Sequence, residues 1–103
     1  MSSPNDIIRD SLPERAPLFT GQDVIGTSAV QLASADPELF TGVILKADVA
    51  NAGIIYVGFS DGVLTTTGYP LNAGDELPIP VRRIKKIWLI ASAVSQDIAW
   101  FAA

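Results

Sequence analysis

Residues 41 to 59 read TGVILKADVANAGIIYVGF, and this stretch decides the fold. In its first half Val43, Leu45, Ala47 and Val49 fall on one side, with Lys46 and Asp48 on the other. Successive strand side chains point to opposite faces, so the alternation marks a strand with one buried face over residues 41 to 50. Asn51, Ala52 and Gly53 supply turn chemistry. Ile54 to Phe59 is then β-branched and aromatic on both faces, as in a strand covered on both sides.

The same grammar continues outward in both directions. Downstream, SDG (60 to 62) is a turn, VLTTT (63 to 67) a predicted short strand, and GYPLNAGD (68 to 75) a loop ending in a turn. ELPIPV (76 to 81), KIWLIAS (86 to 92) and DIAWFA (97 to 102) follow as strands, and upstream SAVQLA (28 to 33) alternates weakly. No convincing helix follows Asp36. About seven short strands at close spacing make an all-β domain, a small antiparallel β-sandwich or jelly roll. Within ELPIPV, Pro78 and Pro80 alternate with Leu77, Ile79 and Val81. Proline donates nothing to a ladder, so this segment belongs at a sheet edge, which it blunts against unwanted pairing.

The N-terminal third reads differently. Pro4, Pro13 and Pro17 punctuate it, and DIIRDSL offers one or two turns of helix before Pro13 stops it. Residues 1 to 35 are therefore expected to form an extended arm that orders against a surface, and residues 36 to 103 the β-sandwich domain. Leu18, Phe19, Val24 and Ile25 are the arm residues expected to anchor it on a partner.

Composition narrows the chemistry. The 103 residues suffice for one small domain, and they contain no cysteine and no histidine. Disulfides, the usual zinc sites, cysteine nucleophiles and the commonest general base are thereby excluded. Net charge is −4, and no apolar run approaches the roughly 18 residues of a membrane span. MSSPNDIIRDSLPERAPLF lacks the basic start and apolar run of a secretory signal. The closest carboxylates, Asp75 with Glu76 and Asp36 with Glu38, sit in turn-like stretches where polar residues serve the backbone. No calcium-loop spacing and no phosphate-binding glycine motif occurs. These readings point to no enzyme, no cofactor and no metal.

Arg82, Arg83, Lys85 and Lys86 concentrate four of the seven basic residues between two strands. Nucleic acid calls for a longer basic face with stacking aromatics, and acidic residues flank this cluster upstream. It reads instead as a solvated loop, or as a rim that meets an acidic protein surface. Trp88 with Ile90 and Ile87 with Leu89 make both faces of their strand apolar, as Trp100 and Phe101 do for the last strand. A two-layer sandwich buries one face of each sheet, so a cover from a second copy or an arm is expected.

From Gly42 onward, LKADVANAGIIYVGFSDGVLTTTGYPLNAGDELPIPV and IKKIWLIASAVSQDIAWFA together resemble a small β-sandwich module of tailed-phage virion accessory proteins. The likeness lies in the N-x-G turn, IYVG, GYPL-x-AG, the PV strand, the aromatic-centred strand ending in IAS, and the closing tryptophan strand. It does not reach the first 40 residues. The resemblance implies a capsid cement or decoration protein, made in the host cytoplasm and carried on the capsid exterior of the virion. It further implies a homotrimer that contacts the major capsid protein, with neither nucleic acid nor membrane as partner. An alternative is a tail- or fibre-associated carbohydrate-binding or adaptor module, for which Phe59 and Tyr69 are the candidate sugar-stacking residues.

Overall fold

A computed structural model describes residues 18–32 and 38–103. The short helix expected in DIIRDSL, the three early prolines and Asp36 lie outside the described residues.

Among the described residues eight strands form: β1 (Phe19–Ile25), β2 (Val30–Gln31), β3 (Val43–Ala47), β4 (Ile55–Gly58), β5 (Tyr69–Leu71), β6 (Glu76–Ile79), β7 (Trp88–Ala91) and β8 (Gln96–Ala102). Their pairing is that of one long hairpin, because β1 pairs with β8, β2 with β7, β3 with β6 and β4 with β5, all antiparallel. Rolling this hairpin into two layers brings β8 also against β3 and β7 against β4. The result is two four-stranded sheets, sheet A in the order β1-β8-β3-β6 and sheet B in the order β2-β7-β4-β5. This is a jelly roll, one of the architectures that the strand pattern implied.

Alternation explains which residues meet between the layers. Val43, Leu45 and Ala47 of β3 are buried, as are Ile98 and Ala102 of β8, Ile55 and Val57 of β4, and Leu89 and Ala91 of β7. Residues directly opposite in a ladder share a face, so these inner sets stack against each other as one continuous core. Lys46 and Asp97 point to the solvent side of sheet A. β6 is indeed an edge strand.

The structure refines the strand pattern in several places. The strand at residues 41 to 50 ends at Ala47, and Val49 is 75% exposed in the turn that follows. The NAG turn carries the chain from sheet A to sheet B, so the two segments of the opening stretch do not pair with each other. Residues 63 to 67 form turns, not a strand, while Tyr69–Leu71 within the expected loop is one. Finally, β1 and β2 belong to the sandwich itself, so residues 19 to 31 are no arm, and the sandwich includes strands ahead of residue 36.

β1 carries no strand signal in its sequence because its inward positions are Phe19, Gly21, Asp23 and Ile25, a poor apolar pattern. The space over Gly21 is filled from β8. A Cβ on Gly21 would lie 2.6 Å from Cζ2 of Trp100, the residue directly opposite. Glycine leaves room for the indole to lie across the strand and reach the core. Gly42 meets a different demand, with φ +138° and Pro80 Cα 2.9 Å from any Cβ placed there.

The expected cover for sheet B comes partly from the chain's own β4–β5 loop. Val63 is 5% exposed and lies where a Cβ on Gly58 would be, on the outer side of β4. Ile90 is likewise buried, with Tyr56 and Trp88 half-buried beside it on the outer face.

Candidate interaction surface

The register divides the sandwich into two unlike ends. One carries the tight connections 26 to 29, 48 to 54, 72 to 75 and 92 to 95, and is stapled by side chains acting as backbone. Gln96 is 4% exposed; its Oε1 accepts from the Gly53 N–H at 2.7 Å and its Nε2 donates to the Val94 carbonyl at 2.7 Å. Asn51 Nδ2 donates to the Asp97 carbonyl and Asn51 Oδ1 accepts from the Asp97 N–H, at 2.9 and 2.8 Å. These bonds satisfy backbone groups that no strand reaches, half-buried ones in the case of Gln96 and exposed ones in the case of Asn51.

The other end carries the start of β1, the long β4–β5 loop and the basic loop between β6 and β7. Ile84 and Ile87 anchor that loop in the core, being 1% and 0% exposed. Between them the chain makes a 3-10 turn, Ile84–Lys86, closed by Lys86 N–H to Arg83 O and Ile87 N–H to Ile84 O at 3.2 and 3.0 Å. Neighbours brace it: Leu39 N–H donates to Arg82 O at 2.7 Å, Leu32 N–H to Ile87 O at 3.0 Å, and Gln31 Nε2 to Lys85 O at 3.2 Å. Arg83 faces Glu38 across an isolated bridge, with an exposed ion pair at 3.7 Å that contributes little to stability. Arg82, Arg83 and Lys86 are therefore exposed on a backbone held from both sides, and Lys85 is half-buried.

The sequence-derived contact residues divide accordingly. Leu18 is exposed where it leads into β1 at this same end, and the Leu39 N–H bond to Arg82 O brings the neighbouring exposed Phe40 close to the basic loop. Phe19 is half-buried against the core, and Ile25, 1% exposed, is a core side chain and no anchor for a partner. Val24 is 66% exposed, but on the outer face of sheet A, away from the basic loop. Phe59 and Tyr69 are both exposed, Tyr69 on the edge strand β5 and Phe59 in the bend that follows β4. Phe40 was missed, and nothing in its local sequence separates it from a buried aromatic.

An open concavity of about 510 Å³ lies on the outer face of sheet A, lined by Gln22, Val24, Lys46, Asp48, Val49 and Asp97 among others. Its polar groups serve structure: Asp48 Oδ1 accepts from the Ala50 N–H at 2.8 Å, and Lys46 lies 3.9 Å from Glu76. Among the described residues no group of three or more acidic side chains comes together as a metal site, and no helix is long and apolar enough to cross a membrane. Asp75 Oδ2 accepts from the Asn72 N–H at 2.8 Å, the turn role expected of it.

No protein-family model matches the chain, and neither a curated protein nor a solved structure gives a significant match.

Proposed function

We propose that the chain is a structural protein of a tailed-phage virion, a cement or decoration protein that sits as a trimer on the outer head surface and contacts the major capsid protein. The observation that carries this reading is the composition of the loop end. Four basic side chains lie on a braced loop that Leu39 ties to the exposed Phe40, and exposed Leu18 leads into β1 at the same end of the sandwich. A rigid body with a charged, apolar-flecked end suits docking on an acidic protein surface, where the charges guide orientation and the apolar groups supply contact area. Several copies on one shell add avidity to modest single contacts.

Co-sedimentation with heads assembled without the protein tests this. Removing residues 1 to 17 should leave a folded sandwich that binds heads weakly, whereas removing 1 to 26 should unfold it, because β1 goes with them. Reversing the charge of Arg82 and Arg83 should weaken binding at low salt and lose most of that effect at 1 M, where screening shortens to about 3 Å. Undiminished binding by both variants would reject the loop end as the docking surface.

A second reading rests on Phe59 and Tyr69, two exposed aromatics at the two ends of the β4–β5 connection. Such a pair suits stacking against sugar rings, as in a carbohydrate-binding module of a tail or fibre. Loss of glycan binding in a folded Tyr69→Ala variant supports it, and a glycan screen blank for the parent protein removes it.

A further inference from the structure

The β4–β5 connection holds itself together but is barely tied to the body. Val63 N–H donates to Ser60 O, Gly62 N–H to Ser60 Oγ, Leu64 N–H to Thr67 Oγ1, and the Thr67 and Gly68 N–H groups to Leu64 O, at 2.8 to 3.3 Å. Among the described residues no hydrogen bond joins residues 60 to 67 to another part of the chain. The basic loop at the same end differs, being braced by bonds from Gln31, Leu32 and Leu39. From Phe59 to Thr67 every residue is exposed except Val63.

Val63 fits a socket on the outer face of sheet B. A Cβ on Gly58 would lie 2.6 Å from its Cγ2 and 2.8 Å from its Cβ; one on Gly68 would lie 3.0 Å from the same Cγ2 and 2.7 Å from the Tyr56 Cβ. Two missing side chains thus make the room. Gly58 stands opposite Trp88, and residues opposite in a ladder share a face, so half-buried Tyr56 and Trp88 flank the socket. Val63 is 5% exposed, yet it lies outside the continuous core between the sheets.

We infer that residues 59 to 67 form a lid held shut by Val63 alone, which swings off the outer face of sheet B while both sheets stay paired. One apolar side chain is a slight attachment beside the ladders that hold β4 to β5 and β7. Segments with few buried contacts open locally, at far less free energy than global unfolding. Opening uncovers Gly58, Tyr56 and Trp88 together. A ligand for this aromatic face meets only the open form, so the latch lowers its apparent affinity by the fraction of molecules that are closed. The lid goes beyond both readings above and depends on neither.

The chain contains no cysteine, so a thiol placed at position 63 reports opening directly. Val63→Cys keeps a small apolar side chain in the socket. Val57→Cys is the control, because Val57 is also 5% exposed but faces the core from β4. With dithionitrobenzoate under native conditions, the thiol at position 63 should react about tenfold or more faster than that at position 57, as local opening demands. Urea below the unfolding transition should accelerate position 57 steeply and position 63 little, since that dependence scales with the surface exposed. Gly58→Ala acts as a wedge, its methyl 2.8 Å from the Cβ that cysteine retains at position 63. Overpacking of this kind should speed reaction at position 63 by about tenfold and at position 57 much less. Circular dichroism establishes that each variant folds. Equal rates at the two positions with one urea dependence, or a wedge that leaves position 63 unchanged or speeds both positions alike, overturns the inference.

Discussion

The contact between Gly21 and Trp100 gives the sharpest test of how β1 is held. In Gly21→Ala the new methyl carbon would lie 2.6 Å from Cζ2 and 2.8 Å from Cε2 of the indole. Carbon atoms pack at about 3.5–4.0 Å, so the ring must retreat by about 1 Å. Trp100 is packed against the core, and such overpacking costs about 1–3 kcal/mol. With Trp100→Phe in place, the offending atoms are gone and the strand merely exchanges glycine for alanine. That exchange is worth roughly 0.5–1 kcal/mol in alanine's favour, since glycine weakens strand interiors. The two substitutions should therefore couple by about 2 kcal/mol, with alanine destabilising the parent and neutral or stabilising in the phenylalanine background. Urea unfolding followed by circular dichroism at one protein concentration measures all four corners of the cycle. Additivity within about 0.5 kcal/mol, the behaviour of independent sites, would refute the interlock.

Two further substitutions test the turns and the staples. Gly42→Ala should cost about 3 kcal/mol or more, because φ of +138° and the Ile79 and Pro80 backbone leave no place for a Cβ; a melting temperature within a few degrees of the parent would contradict this. Gln96→Ala strips the Gly53 N–H of its acceptor and should cost about 1–3 kcal/mol, with hydrogen exchange at that amide accelerating while β1 amides stay protected.

How much of this was legible beforehand follows from where side-chain patterns are self-contained. The existence and facing of β3 and β6, though not their ends, are legible because Val43, Leu45 and Ala47, and the spaced prolines after Glu76, announce their own roles. β1 was hidden because its inner face is completed by Trp100, nearly eighty residues away, and no local pattern shows a space filled from another strand. Residues 63 to 67 misled for the opposite reason. VLTTT is rich in β-branched residues, yet only Val63 is buried, and Thr67 spends its hydroxyl accepting from the Leu64 N–H at 3.0 Å to close a turn. The basic cluster was correctly placed between two strands, but its rigidity depends on Gln31, Leu32 and Leu39, which reach it from distant parts of the chain. Ile25 reads as an outward anchor because its inward direction is set by β8, which no local pattern reveals.

The nested pairing of the strands also sets an order in time. β4 and β5 are joined by a single loop and can meet early, whereas β1 and β8 meet across contacts such as Thr20 to Trp100, 80 positions apart. Closing so long a loop costs entropy before any contact repays it, and non-local sheets accordingly fold slowly. In chain order β8 follows every other strand yet stands between β1 and β3, so sheet A has no centre until residues 96 to 102 arrive. A growing chain therefore holds the inner face of sheet B unlidded until those residues clear the ribosome, and that interval is when it most needs protection from aggregation.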